Sequence, residues 1–268
     1  LCSPVDFIQA QYGLSGIGYA ISTACTSGAR ALASAARLLK LGLCDAVLCG
    51  GVDSLSLLTI NGFASLEVVS GRVARPFAAD REGINIGEAA AVFLMTRAPM
   101  PGFPEGEPIG LLGYGASSDA WHMSSPRPDG EGAMQAIQAT LQGAGLSAGD
   151  LGWINLHGTG TAQNDAMESL AVVQTLGVDV PGTSTKPHTG HTLGAAGALE
   201  AAIVWGLVSR QLNPSGALPA QGNERDPSLA PLRLTRPGDC WPSGSRLGLS
   251  TSFAFGGNNM ALIIGDTA

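Results

Sequence analysis

YAISTACTSGARALASAARLLKL, residues 19–41, sets the architecture. Its first part, Tyr19 to Ala24, reads as a short buried strand. Its second, Ser27 to Leu41, is rich in Ala and Leu and predicts a helix stopped by Gly42. Cys25 stands at the joint, framed by Ala24, Thr26, Ser27 and Gly28. A strand-to-helix elbow exposes such a side chain and aims the helix N-terminus at it. The partial positive charge there predicts a thiol pKa below the ordinary value of about 8.5. The small neighbours leave room for a substrate carbonyl.

Outward from the elbow, strands and helices alternate. Asp45 to Cys49 reads as a strand closed by Gly50-Gly51. Ala89 to Met95 is continuously apolar, which predicts a strand covered on both faces. Pro99 to Pro108 is rich in Pro and Gly and marks a boundary, dividing the chain into residues 1–97 and 98–268. Beyond it come a strand (Ile109 to Ala116), a helix ended by Gly143 (Glu131 to Gln142), a strand (Gly152 to Leu156) and a helix (Asp165 to Thr175). A strand near Thr183, a long helix from Leu193 to Gln211, and strands Arg246 to Phe253 and Met260 to Ile264 complete the pattern. This predicts an α/β fold with mixed, buried sheets. The second half can build a sheet covered by helices. The first has too few strands to close its own core, which predicts roughly one or more supersecondary units upstream of Leu1.

Bulk properties exclude several classes. The 268 residues carry a net charge of −7 and no Lys/Arg cluster, which argues against a nucleic-acid binder. No apolar run reaches bilayer length: the most apolar, Ala195 to Val208, is broken by Gly197, Glu200 and Gly206 and reads as a buried helix. The five cysteines (Cys2, Cys25, Cys44, Cys49, Cys240) form no CxxC pair, so a reducing cytoplasm is the expected setting.

Two imidazoles join the thiol. His157 ends an apolar strand and is followed by Gly158-Thr159-Gly160-Thr161, a strand tip opening into a site. His191 precedes a helix, where the positive end of the dipole favours the neutral ring, and a neutral N–H is a good electrophile. His188, three residues earlier, suggests zinc, but partners at ligand spacing are missing. Lys186, Asp165 and Glu200 are expected to form a charged network holding the imidazoles. Phe253 to Asn259 ends a strand in a Gly-rich loop whose amides could donate to an oxyanion.

Taken together, these segments resemble the elongating β-ketoacyl-acyl carrier protein synthases of the thiolase-like superfamily. The resemblance runs from about Gly18 to Ile264. It rests on Thr23-Ala24-Cys25, Arg75-Pro76-Phe77, Asp80-Arg81-Glu82-Gly83, Gly113 to Gly130, His157 to Asp165, Lys186 to Glu200, and Ser252 to Asn259. It implies a five-layer αβαβα sandwich of two related halves, with the N-terminal half incomplete here and Tyr19 to Ala24 pairing across a dimer interface. It also implies decarboxylative Claisen condensation in fatty acid, polyene or polyketide elongation. Cys25 would be acylated, and His157, His191 and Lys186 would complete the catalytic set, with Asp165 and Glu200 supporting. Amides of Cys25 and Phe255 would form the oxyanion hole. Thr159, Thr161, Phe255 and Gly256 would touch substrate, and Ser118 to Gly130 would be a mobile loop at the entrance.

Substrates would arrive on the phosphopantetheine of an acyl carrier protein, with no metal or organic cofactor required. The assembly would be a homodimer or a ketosynthase heterodimer. Arg30, Arg37, Lys40, Arg72 and Arg75 are candidates for carrier docking. Ala254 in place of a usual glycine should stiffen the gate, and Asn258 and Ile84 are further departures from the family pattern. Two rivals stand beside this reading. A thiolase needs a second cysteine, and the surroundings of Cys240 do not match that role. A non-catalytic chain-length partner would lack the nucleophile that Cys25 supplies.

Overall fold

The computed structural model describes residues 4–97, 107 and 109–266. The Pro/Gly-rich boundary therefore lies outside the described residues, Glu107 excepted. The helices are α1 (Pro4–Tyr12), α2 (Ser27–Lys40), α3 (Leu57–Ser65), α4 (Glu131–Ala144), α5 (Ala162–Leu176), α6 (Lys186–Thr189) and α7 (Ala196–Val208). The strands are β1 (Ala46–Asp53), β2 (Ala89–Thr96), β3 (Ile109–Ser118), β4 (Trp153–Asn155), β5 (Gly182–Thr183), β6 (Leu247–Ala254) and β7 (Asn258–Asp266).

Helix α2 forms where expected. Ala29, Leu32, Ala33, Ala35 and Leu39 make its buried stripe. Its end is set by Gly42 at φ +70°, which lets Gly42 and Leu43 donate back to the Leu39 and Leu38 carbonyls. In α4 the left-handed terminator is Gly145, not Gly143, so the helix runs two residues past its expected end at Gln142.

Five strands form one mixed sheet in the order β3-β7-β6-β4-β5. Helices α4 and α5 cover one face, around Ile137, Ile154, Leu156 and Val172. The other face packs on α2 and α7 through Trp153, Met260 and Leu262. On the far side of α2 and α7 lies an antiparallel pair, β1 and β2. Four layers of an αβαβα sandwich are thus present. Burying the inner faces at about 25 cal/mol per Å² of apolar surface is the main force holding them.

Three expectations fail for physical reasons. Tyr19 to Ala24 forms no strand with any segment among the described residues of this one chain, and Ile17 and Tyr19 are exposed. Gly50-Gly51 does not close β1 but lies inside it: a side chain on Gly50 would sit 2.0 Å from the Ala91 carbonyl oxygen. And β2 is covered on one face only, since Val92 and Leu94, with Leu48 and Val52 of β1, face outward.

What positions the site is the contact between α2 and α7. A Cβ on Gly28 would lie 2.7 Å from the Ala198 nitrogen, and one on Gly197 2.7 Å from the Ala29 nitrogen. The two backbones touch, and the segments leading into both helices meet.

Candidate active site

Cys25 follows Ala24, whose φ of +52° puts a side-chain-bearing residue in the left-handed region. That turn costs of order 1 kcal/mol or more and is tolerated where packing over-determines it. It delivers the buried Cys25 sulfur to 3.0 Å from Nε2 of His191. The ring of His157 meets that of His191 edge-on, with centroids 5.3 Å apart. One donor atom from each of the three residues falls within 4.8 Å of the others. A sulfur and two imidazoles are plausible metal ligands, but the Lys186 ammonium lies 3.3 Å from His157 Nδ1 and opposes a cation there.

The expected lowering of the thiol pKa is overturned. Burial pushes Cys25 up to about 11, against the Lys186 charge and the amides of Phe255 and Cys25, which pull it down. Desolvation outweighs the helix end because the sulfur is buried. Burial, reinforced by Lys186, holds both histidines well below the usual imidazole range. The resting pair is neutral thiol and neutral imidazole, so His191 must accept the proton when the sulfur attacks. Alkylation of Cys25 by iodoacetamide should therefore climb steadily from pH 7 toward 11, followed by site-resolved mass spectrometry. A plateau below pH 8 would contradict the buried neutral thiol.

Lys186 joins His157 to Glu200, pairing with Glu200 at 2.5 Å with both side chains buried. Of the three residues expected to form the network, Lys186 and Glu200 pair. Asp165 stands apart from it. Its carboxylate accepts from the Phe77 amide at 2.7 Å and the Gly160 amide at 3.2 Å, with Arg81 at 3.9 Å. Burial pushes it up to about 6 against those bonds. Asp165 thereby ties the loop after His157 to Phe77, a fully buried residue at φ +65°.

Glu168 was not foreseen. It accepts from the His157 and Gly158 amides at 2.7 Å each and from the Thr251 hydroxyl at 2.8 Å. Its signal was its place one helical turn after Asp165, on the same face of α5. Glu168→Ala leaves the buried Gly158 amide without its acceptor, while the His157 amide keeps the Thr251 hydroxyl at 3.0 Å, and should cost about 1–3 kcal/mol, read as a lower denaturant midpoint.

A cavity of about 450 Å³ opens onto Cys25, His157 and His191. Thr159 and Thr161 line it, hydroxyl to hydroxyl at 2.9 Å. Phe255 lines it from the far side, its ring 5.8 Å from that of Phe63. Gly256 takes φ +79°, and its amide donates to Met123 at 2.8 Å, tying the Phe255 loop to the expected entrance loop. Ala254 is extended at φ −109°, a conformation that needs no glycine. His188 is exposed and joins nothing in the site.

The docking candidates mostly serve inside this chain. Arg72 and Arg75 pair with Asp80, Arg30 reaches Asn258, and Arg37 lies over the Tyr114 ring. Lys40 is exposed.

No helix among the described residues is long and apolar enough to cross a membrane. Residues 7–99 match the family described as beta-ketoacyl synthase, N-terminal domain, and residues 110–216 the corresponding C-terminal domain. The chain is 33% identical to a putative mitochondrial 3-oxoacyl-[acyl-carrier-protein] synthase of Schizosaccharomyces pombe, over 97% of this chain and 64% of the relative. It is 34% identical to 3-oxoacyl-[acyl-carrier-protein] synthase 2 of Rhizobium meliloti, over 96% and 62%. Among solved structures, it superposes on a chain of the complex between ketosynthase (ApeO) and its chain length factor (ApeC) from Xenorhabdus doucetiae. There the TM-score is 0.89 and the identity 46%, over 98% of this chain and 64% of that one. A beta-ketoacyl synthase from Burkholderia phymatum gives a TM-score of 0.84 at 31% identity, over 97% and 64%. The chain thus spans somewhat less than two thirds of the length of these relatives. Matched in both domains, and folded as these structures are, the chain belongs to the β-ketoacyl synthase family, with its thiolase-like fold.

Proposed function

We propose that the protein containing this chain is a 3-oxoacyl-[acyl-carrier-protein] synthase that extends an acyl chain by decarboxylative condensation. One observation carries the reading: Cys25 Sγ lies 3.0 Å from His191 Nε2 in a cavity shared with His157.

In the first half-reaction Cys25 sulfur attacks the thioester carbonyl of an acyl carrier protein. The S–C bond to the enzyme forms, the carrier thiolate leaves, and His191 relays the cysteine proton to it. The Cys25 and Phe255 amides hold the tetrahedral oxyanion. In the second, a malonyl thioester loses carbon dioxide, and the electron pair of the broken C–C bond passes into an enolate. The charged Lys186 donates to His157 Nδ1, which leaves that ring's proton on Nε2. His157 donates from Nε2 to the enolate oxygen, and His191 does so as the Nε2–H tautomer, its proton having moved from Nδ1 after the first half-reaction. The enolate carbon then attacks the acyl-cysteine carbonyl. A C–C bond forms, the C–S bond breaks, and the departing Cys25 thiolate takes up a proton from water, balancing the one that left with the carrier thiol.

Thr159 and Thr161 would steer the pantetheine arm or malonyl group. The N-terminal half would be completed by further chain, and the partner would be a like subunit or a chain-length factor. Four described cysteines without disulfides suit a reducing cytoplasm.

The test is mass spectrometry of the full protein after incubation with acyl-carrier and then malonyl-carrier protein. The expected sequence is one acyl mass on the Cys25 peptide, then its discharge as a β-ketoacyl thioester. Retained partner binding with no acyl mass would instead make the chain a non-catalytic subunit.

A further inference from the structure

The two imidazoles are held in different ways. His157 is fixed through its ring by Lys186. His191 Nδ1 is buried and has no hydrogen-bond partner among the described residues, so its only ring contact of that kind is the sulfur it must serve. An imidazole is ordinarily oriented through the nitrogen that does not react. Here that role falls to the backbone. The His191 amide donates to the Asn85 carbonyl at 2.6 Å, and its carbonyl accepts from the Gly87 amide at 3.0 Å. The two segments leave no slack, since a Cβ on Gly87 would lie 2.2 Å from the Thr189 carbonyl oxygen.

The gripping segment is held by two backbone bonds at Ile84, whose amide donates to the Val68 carbonyl and whose carbonyl accepts from the Ser70 amide at 2.8 Å each, and, at the residue that touches His191, by the Asn85 side chain. Its Oδ1 accepts from the Ala74 amide at 2.7 Å. Its Nδ2 donates to the Arg72 carbonyl at 2.9 Å and the Ser70 carbonyl at 3.4 Å. One carboxamide therefore spans three backbone groups of residues 70–74 while the Asn85 backbone carbonyl accepts from the His191 amide. Its neighbour Ile84 lines the cavity.

We infer that Asn85 is a positioning residue that sets the distance between His191 and Cys25. The inference deepens the proposed function, and its first readout does not depend on it. Without the carboxamide, the backbone bonds at Ile84 remain but residue 85 loses its side-chain anchor, His191 has no second restraint on its ring, and the contact with sulfur lengthens.

The experiment measures alkylation of Cys25 by iodoacetamide at pH 7.5 in four full-length proteins: wild type, Asn85→Ala, His191→Ala and the double variant. Asn85→Ala is expected to slow alkylation about tenfold, and to add nothing once His191 is gone. Equal slowing in both backgrounds would mean that Asn85 acts as general scaffolding, and an unchanged rate in Asn85→Ala would also overturn the inference. Should Asn85→Ala fail to fold, Asn85→Asp decides. It keeps the acceptor for the Ala74 amide and loses the donors, so about threefold slowing supports the inference and none refutes it. Condensation by the same variants is a separate readout: if wild type does not condense, the proposed function falls while the alkylation result stands.

Discussion

Cys25→Ala will carry no acyl group after incubation with acyl-carrier protein, and condensation will fall on the order of 10⁴-fold or more. The size follows from the mechanism, because removing the sulfur removes a covalent intermediate and not merely a contact. The other described cysteines offer no substitute. Cys49 is buried in the α2–α7 core layer and pushed up to about 12 by burial, Cys44 is half-buried and outside the cavity lining, and Cys240 lies on the surface. The variant should stay folded, since a buried thiol behaves as a small apolar side chain close to alanine in size. Decarboxylation of malonyl thioester should survive within about tenfold, because His157 and His191 still supply their donors. An acyl mass on any other residue of the Cys25→Ala protein would remove Cys25 from its role.

Much of this site was legible in the sequence because its parts carry unusual residues at element ends. A cysteine between a strand-like run and an Ala/Leu helix, a histidine closing an apolar strand, and Lys186 five residues before His191 each stand out locally. What the sequence hid were the relations between segments. Gly50 and Gly51 read as a turn because turns are the commonest use of paired glycines. Their real cause is the close approach of Ala91 and Ala195, which no local pattern reveals. Helix α3 was missed because it has no buried residue, so its apolar residues follow no helical stripe. The thiol pKa was misjudged for a related reason. Proximity to a helix start can be read from the chain, whereas complete burial under the other half of the molecule cannot.

Glu168 and Asn85 show the same limit from the functional side. Each acts on backbone groups far along the chain, Glu168 on residues 157 and 158 and Asn85 on residues 70–74. A carboxylate in a helix or an asparagine in an irregular segment is ordinary until its partners are known. Lys186 was identified because it sits near His191 in sequence, yet its ring contact is with His157. Which of the two rings Lys186 would meet was not legible in the sequence.

That pairing leads to the second large effect. His157→Ala should reduce condensation about 10²–10³-fold, as expected for losing one preorganised donor to a developing oxyanion. It should leave acylation of Cys25 within about threefold of wild type, because the imidazole that touches the sulfur is His191. His191→Ala should impair both half-reactions, since its ring serves the thiol first and the enolate afterwards. The Lys186–Glu200 pair buried behind His157 is what makes the contrast clean. Its charge favours the neutral ring, and a neutral ring with its remaining proton facing the cavity is a donor to the enolate, not a base for the thiol. Measuring acyl-enzyme by mass and β-ketoacyl product by chromatography in the same samples separates the two roles. If His157→Ala lost acylation as severely as condensation, the division of labour between the imidazoles would be wrong, and the sulfur would have to depend on both rings at once.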